Sequence, residues 1–202
     1  DLKPHLSPSS HPYLWSRWMM LQNQIYIKQL DLVAAQKHID NFTNAKSLHP
    51  YVDICLKVAQ ADIANASRDY ALAESIYQSI IHDIDIHVDS LSIKSYATLK
   101  LGELYLEKDD LRAAEVLYIN LLQQPLTIVQ RKSALENLAS IYLDLGDLSL
   151  AKKFYIQVRD MVSELYGNSH VEYAKILNSL ANVAYRQGAI EVTLALHMQS
   201  ID

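Results

Sequence analysis

Apolar side chains recur along this chain at spacings of three, four and seven, and short polar breaks interrupt them at near-regular intervals. One break lies in YLDLGDLSLAKKFY, Tyr142 to Tyr155, where Gly146-Asp147 separates two helix-periodic stretches. With Asp147 as a register mark, the sequence around it is Asp147-Leu148-Ser149-Leu150-Ala151. Similar stretches occur as Asp31-Leu32-Val33-Ala34-Ala35, Asp69-Tyr70-Ala71-Leu72-Ala73 and Asp110-Leu111-Arg112-Ala113-Ala114. A weaker fifth copy, Ala189-Ile190-Glu191-Val192-Thr193, follows Gly188. The marks are 38, 41, 37 and 42 residues apart. A period of this size signals stacked supersecondary units.

Positions on both sides of the mark agree with the register. Five residues before it stand Tyr26, Ala64, Tyr105, Tyr142 and Ala184, and eight before it Asn23, Ala61, Gly102, Ala139 and Ala181. Eight after it stand Ile39, Tyr77, Tyr118, Tyr155 and His197, and eleven after it Phe42, Ile80, Leu121, Val158 and Ser200. Each unit therefore reads as helix, tight turn, helix. Small residues eight before and four after the mark let two antiparallel helices approach closely, and the aromatic residues fill the space between neighbours. One helical hairpin cannot bury its apolar faces alone, so the hairpins are expected to stack. Gly146 suits a positive φ after the first helix, and Asp147 suits the cap of the next. Gly146-Asp147 is thus a turn, not a site.

The pattern Leu138-Ala139-x-x-Tyr142-x-x-x-Gly146-Asp147-x-x-x-Ala151-x-x-x-Tyr155 resembles the tetratricopeptide repeat family, over about residues 12 to 202. The segment YGNSHVEYAKILNSLANVAYRQG (166–188) is similar to the longer repeats of kinesin light chains and bacterial signalling proteins, with Val171 where their connecting segment has Pro. The resemblance implies an all-α, right-handed α-solenoid of about five antiparallel helical hairpins. Its units would span about 12–45, 54–85, 92–125, 132–165 and 173–202, after an irregular segment 1–11. Ile190, Leu194, Met198 and Ile201 would face a further helix, so the natural protein is expected to continue or this end to pack on another chain, as in a homodimer.

The resemblance also implies a working surface. First helices of such arrays line a concave groove, at offsets 14, 11, 7, 4 and 3 before the mark. Carried onto this chain, these offsets include Arg17, Gln24, Ile27 and Lys28, then Asp62, Asn65 and Ala66, then Tyr96, Glu103 and Glu107. The later units add Glu136, Ser140 and Asp144, then Lys175, Asn178, Asn182 and Arg186. The carboxylates fall in the middle and the cations at the two ends. One account is solubility alone. The sharper one is a groove for a protein or extended peptide, whose basic side chains meet the middle while Asn178 and Asn182 hold its backbone. The Asn–Lys–Arg clamp of chaperone-binding members has no match here.

Bulk properties narrow the classes further. The chain has 202 residues, a hydrophobic fraction of 50% and a net charge of −5. An acidic balance argues against direct nucleic-acid binding, which needs a concentrated basic face. No apolar run is long enough to span a membrane. One cysteine, Cys55, excludes an internal disulfide. A cytoplasmic location fits, as does a cysteine-poor periplasmic one. Glycines are few, at four, and the five prolines sit at ends and seams, as a helical chain requires.

Candidate chemistry is sparse. HDIDIHVDS (82–90) alternates acidic and histidine residues as a metal site can, but it lacks an EF-hand glycine and lies at a seam. It reads as a solvated or interface loop. No Walker-type loop, Gly-rich nucleotide turn or HExxH occurs, so neither catalysis nor a cofactor is expected. The leading expectation is a non-catalytic interaction scaffold within a larger regulatory protein. The alternative is a regulatory or dimerisation solenoid that controls a DNA-binding or kinase domain outside these residues.

Overall fold

The protein is described by a computed structural model covering residues 7–43, 49–83 and 88–201. Ten α-helices and no strand occur among the described residues. They are α1 (Pro12–Lys28), α2 (Leu32–Thr43), α3 (Pro50–Ala66), α4 (Tyr70–Asp83), α5 (Val88–Glu107), α6 (Leu111–Leu122), α7 (Ile128–Asp144), α8 (Leu148–Tyr166), α9 (Val171–Arg186) and α10 (Ile190–Ile201). Pro12 and Pro50 each open a helix, where the missing N–H is no loss. His49 and His170 cap α3 and α9, each ring accepting a backbone N–H at 3.2 Å. These two histidines hold helix ends. Residues 1–6 of the expected irregular segment and residues 84–87 of the acidic-histidine run lie outside the described residues. Among the described residues no group of three or more His, Cys, Asp or Glu could hold a metal.

The breaks in the pattern become one repeated turn. The residue before each mark has a left-handed backbone: Leu30, Arg68, Asp109, Gly146 and Gly188 have φ between 59° and 82°. In the first, second and fifth copies the mark's N–H returns to the carbonyl five residues earlier, at 2.9–3.0 Å. Leu30, Arg68, Gly146 and Gly188 each bond the carbonyl three residues earlier. This crossed pair is the Schellman closure of a helix end. The four Asp marks then cap the next helix, accepting the N–H three residues on at 2.9–3.2 Å. Ala189 has no side-chain acceptor to offer.

The chain divides into two compact units, residues 1–108 and 109–202. The first holds α1 to α5, with α3 packed against α1, α4 and α5. The second holds α6 to α10, with α7 packed on α6 and α8, and α9 on α8 and α10. In both, the small register positions are interior. Ala35, Ala73, Ala114 and Ala151 are fully buried, as are Ala61, Ala139 and Ala181. Tyr77, Tyr118 and Tyr155 fill the space eight residues after the mark. The core is thus a stripe shared by neighbouring hairpins, as a solenoid requires.

Candidate functional site

The first unit contains a cleft of about 790 Å³. Its walls are α1, α3 and α5, the first helices of three successive hairpins. Gln24, Ile27 and Lys28 come from α1, Asp62, Asn65 and Ala66 from α3, and Tyr96, Lys100, Glu103 and Glu107 from α5. Arg68 in the turn after α3, with Tyr70 and Tyr77 on α4, completes the lining. Residues at equal offsets form rows across it. Seven before the mark the row is Gln24, Asp62, Glu103, and three before it Lys28, Ala66, Glu107.

Hydrogen bonds fix the floor. Tyr77 donates its phenol to Asp62 Oδ1, and Tyr96 donates to Asp62 Oδ2 at 2.9 Å. Gln24 Nε2 donates to the Tyr96 hydroxyl at 3.3 Å and so ties α1 to α5. Burial pushes the Asp62 carboxyl up to about 6, although both phenols and Lys100 pull the other way. The two phenols are themselves raised, by burial first and then by the Asp62 charge. Lys100 pairs with Glu103 at 2.6 Å and lies over the Tyr96 ring. Lys28, Arg68 and Glu107 are exposed at the rim. The Oδ1 of Asn65 is buried without a hydrogen-bond partner.

Nine sequence-expected residues therefore meet in one place: Gln24, Ile27, Lys28, Asp62, Asn65, Ala66, Tyr96, Glu103 and Glu107. Arg17 is exposed on α1 and does not line the cleft. Sequence reasoning missed Arg68, Tyr70, Tyr77 and Lys100. Lys100 stands three residues before Glu103, an i,i+3 pair that could have marked it. Tyr77 had been assigned wholly to packing, and its hydroxyl carries the second task.

In the second unit most of the expected residues are engaged by one another or by their neighbours. Lys132 bridges Glu136 on α7 at 3.1 Å and Glu172 on α9 at 3.0 Å, and Lys175 holds Glu172 at 2.7 Å. Lys175 and Lys132 together hold the Glu172 carboxyl down at about 2. Burial pulls the Lys132 ammonium down, but its two carboxylates outweigh that and keep it raised. Arg186 donates to the carbonyl of Leu143 near the end of α7, where a cation suits the helix dipole. Asn178 Oδ1 accepts from Ser200 at 3.0 Å and lies 2.9 Å from His197 Nδ1, both on α10. Ser140 hydrogen-bonds the Tyr155 phenol. Asp144 and Asn182 are exposed. On α10, Ile190, Leu194, Met198 and Ile201 are exposed as well.

A further polar device joins neighbouring hairpins within each unit. In the first, Tyr105 donates to Glu74 at 3.0 Å, and Lys108 pairs with the same carboxylate. In the second, Tyr142 donates to Glu115 at 2.7 Å, and Arg112 pairs with it. Each Tyr stands five before its mark and each Glu five after the preceding mark. The tyrosines thus combine packing with a defined inter-hairpin bond.

Comparison with known proteins agrees with this architecture. Residues 131–202 match the family model described as tetratricopeptide repeat. No curated protein matches. Among solved structures, BtubC (BKLC) from P. vanneervenii is similar at a TM-score of 0.70 and 12% identity, over 91% of this chain and 77% of that one. A Podosopora anserina putative kinesin light chain with nearly identical TPR-like repeats is similar at 0.68 and 15% identity, over 96% and 95%. MamA AMB-1 is similar at 0.56 and 11%, over 93% and 91%. No helix among the described residues is long and apolar enough to cross a membrane. Tetratricopeptide repeats in general serve as protein-interaction scaffolds. Residues 131–202 thus match the tetratricopeptide repeat family in sequence, and the fold of the chain is an α-solenoid similar to those of the solved repeat proteins.

Proposed function

We propose that the chain is a non-catalytic scaffold that binds an extended peptide segment of a partner protein in the cleft of its first unit. The observation that carries this reading is the cleft itself. Three first helices wall it, its floor is locked by the Asp62–Tyr77–Tyr96 bonds, and rim side chains face solvent. A preformed floor lowers the ordering cost of binding, and an extended chain presents alternate side chains to the two walls. Glu103 and Glu107 offer the α5 wall to a basic side chain of that peptide. The second unit supports a different role, because its Glu136, Lys175, Asn178 and Arg186 are already held by contacts within the unit.

The test is selection of peptides from a displayed random library on the intact chain, followed by hydrogen exchange with the selected peptide bound. Protection is expected in α1, α3 and α5 around Asp62. Protection confined to α2 and α4, or to the second unit, would place binding elsewhere and overturn the reading. Glu103→Lys with Glu107→Lys is expected to abolish capture, and Glu136→Lys to leave it intact.

A further inference from the structure

The rim of the same cleft carries both signs of charge, and they are sorted. Lys28 projects from α1, Arg68 from the turn after α3, and Glu107 from α5. None of the three has an ion-pair partner among the described residues. At the level of Lys28 and Glu107 the floor is Ala66, a small side chain that leaves the span between them open. Below, Glu103 is half-neutralised by Lys100, and both oxygens of Asp62 are occupied by phenols. Net charge in the cleft is therefore close to balanced, with Lys28 on the α1 wall, Glu107 on the α5 wall and Arg68 in the turn after α3 between them.

Packed helices lie about 8–10 Å apart, and α3 packs against both α1 and α5, so the two outer axes are roughly 16–20 Å apart. Gln24 on α1 already reaches the Tyr96 hydroxyl on α5 at 3.3 Å, so an extended segment lying above that contact meets side chains of both walls at once. A bound segment carrying two like charges would satisfy one wall and repel the other. A polyanion would meet Glu103 and Glu107, and a uniformly basic peptide would meet Lys28 and Arg68.

We propose that the cleft selects a peptide segment bearing both an acidic and a basic side chain, the acid on Lys28 and Arg68 and the base on Glu103 and Glu107. This rests on the peptide reading above and adds a charge rule to it. Such complementarity contributes specificity more than raw affinity, since like-charge juxtaposition is what it rejects.

The probes are short, terminally blocked synthetic peptides on one neutral background, bearing an Asp and an Arg, two Arg, two Asp, or neither. Binding to the intact chain is read by fluorescence polarisation at low salt. The mixed-charge peptide is expected to bind at least about tenfold more tightly than either like-charged one. Lys28→Glu with Arg68→Glu is expected to move the preference to the two-Arg peptide. Glu103→Lys with Glu107→Lys is expected to move it to the two-Asp peptide. Glu107→Lys alone, at an exposed position, provides a variant whose fold is undisturbed, and thermal unfolding checks all of them. Equal binding of mixed and like-charged peptides, or a ranking unchanged in the variants, overturns the charge rule and leaves the peptide reading to its own test. If library peptides protect the cleft while none of the four probes binds, the rule also fails. If no peptide from either source binds, both readings fall.

Discussion

The two units are built from the same repeat, yet they place their polar groups differently. In the second, cleft-side charges are consumed: Lys132, Lys175, Glu136 and Glu172 form one ion-pair network across α7 and α9. In the first, a carboxylate is held by two phenols at the cleft floor, and among the described residues the rim charges Lys28, Arg68 and Glu107 have no ion-pair partner. Buried side-chain atoms without a partner, on Ser16, Asn23, Asn65 and Ser95, also belong to the first unit. The turns overlap in type, with Leu30 and Arg68 left-handed in the first unit and Asp109, Gly146 and Gly188 in the second. The family match over 131–202 falls in the second unit.

The largest expected effect tests whether the units respond separately. Leu104→Ala and Leu138→Ala each truncate a fully buried side chain, one per unit. Each is expected to cost about 2–5 kcal/mol in denaturant unfolding. Hydrogen exchange should rise mainly in the unit that carries the change. An equal rise in both would show a single cooperative block and break the comparison.

Next in size is an opposite response to acid. Asp62 has its folded value raised, so the folded state binds that proton more tightly than the unfolded state does. Its contribution is unfavourable above about pH 6 and is relieved as pH falls towards its ordinary carboxylate range. Glu172 is lowered to about 2, so its contribution is present above its ordinary range near 4.5 and is lost as pH falls towards 2. Each slope is at most about 1.4 kcal/mol per pH unit. Asp62→Asn should remove the gain between about pH 6 and 4, and Glu172→Gln the loss below about pH 4.5. A stability–pH curve unchanged by either variant would contradict the assigned environments.

Smaller again are the caps. Asp69→Ala and Asp147→Ala each remove an acceptor for a helix-start N–H and are expected to cost about 1 kcal/mol in thermal unfolding. Similar losses would show that the turns are equivalent across the units.

The smallest effect concerns the left-handed residues. Leu30→Gly relieves a side chain at φ 59° and should stabilise by about 0.5–1 kcal/mol. Gly146→Ala at φ 82° should destabilise by a similar amount, since a Cβ there meets no neighbour but the backbone is strained. Opposite signs at matched positions would sharpen the contrast; equal signs would remove it.

Much of the fold was legible because helix pairing writes itself into spacing. Ala61, Ala139 and Ala181 are small where helices touch, and Asp31, Asp69, Asp110 and Asp147 are acidic where helices begin. The helices α3, α5 and α7 start earlier than the seams suggested, at Pro50, Val88 and Ile128. At α7 the capping box of Thr127 and Gln130 sets the start, and the periodic apolar pattern begins only later. The groove offsets located nine cleft residues but said nothing of their pairing. Tyr77 reaches Asp62 fifteen residues away, Lys132 reaches Glu172 forty away, and Arg186 reaches Leu143 forty-three away.

By itself the sequence determined the repeat, its turn and its buried stripe. Those depend on local propensity and on one face of each helix, both carried by residues within a few turns of one another. Tertiary structure decided which charges are spent. Ion pairs and phenol–carboxylate bonds form over a few ångströms between helices remote in sequence, and Asp62 and Glu136, seven and eleven residues before their marks, occupy different electrostatic states because different neighbours reach them.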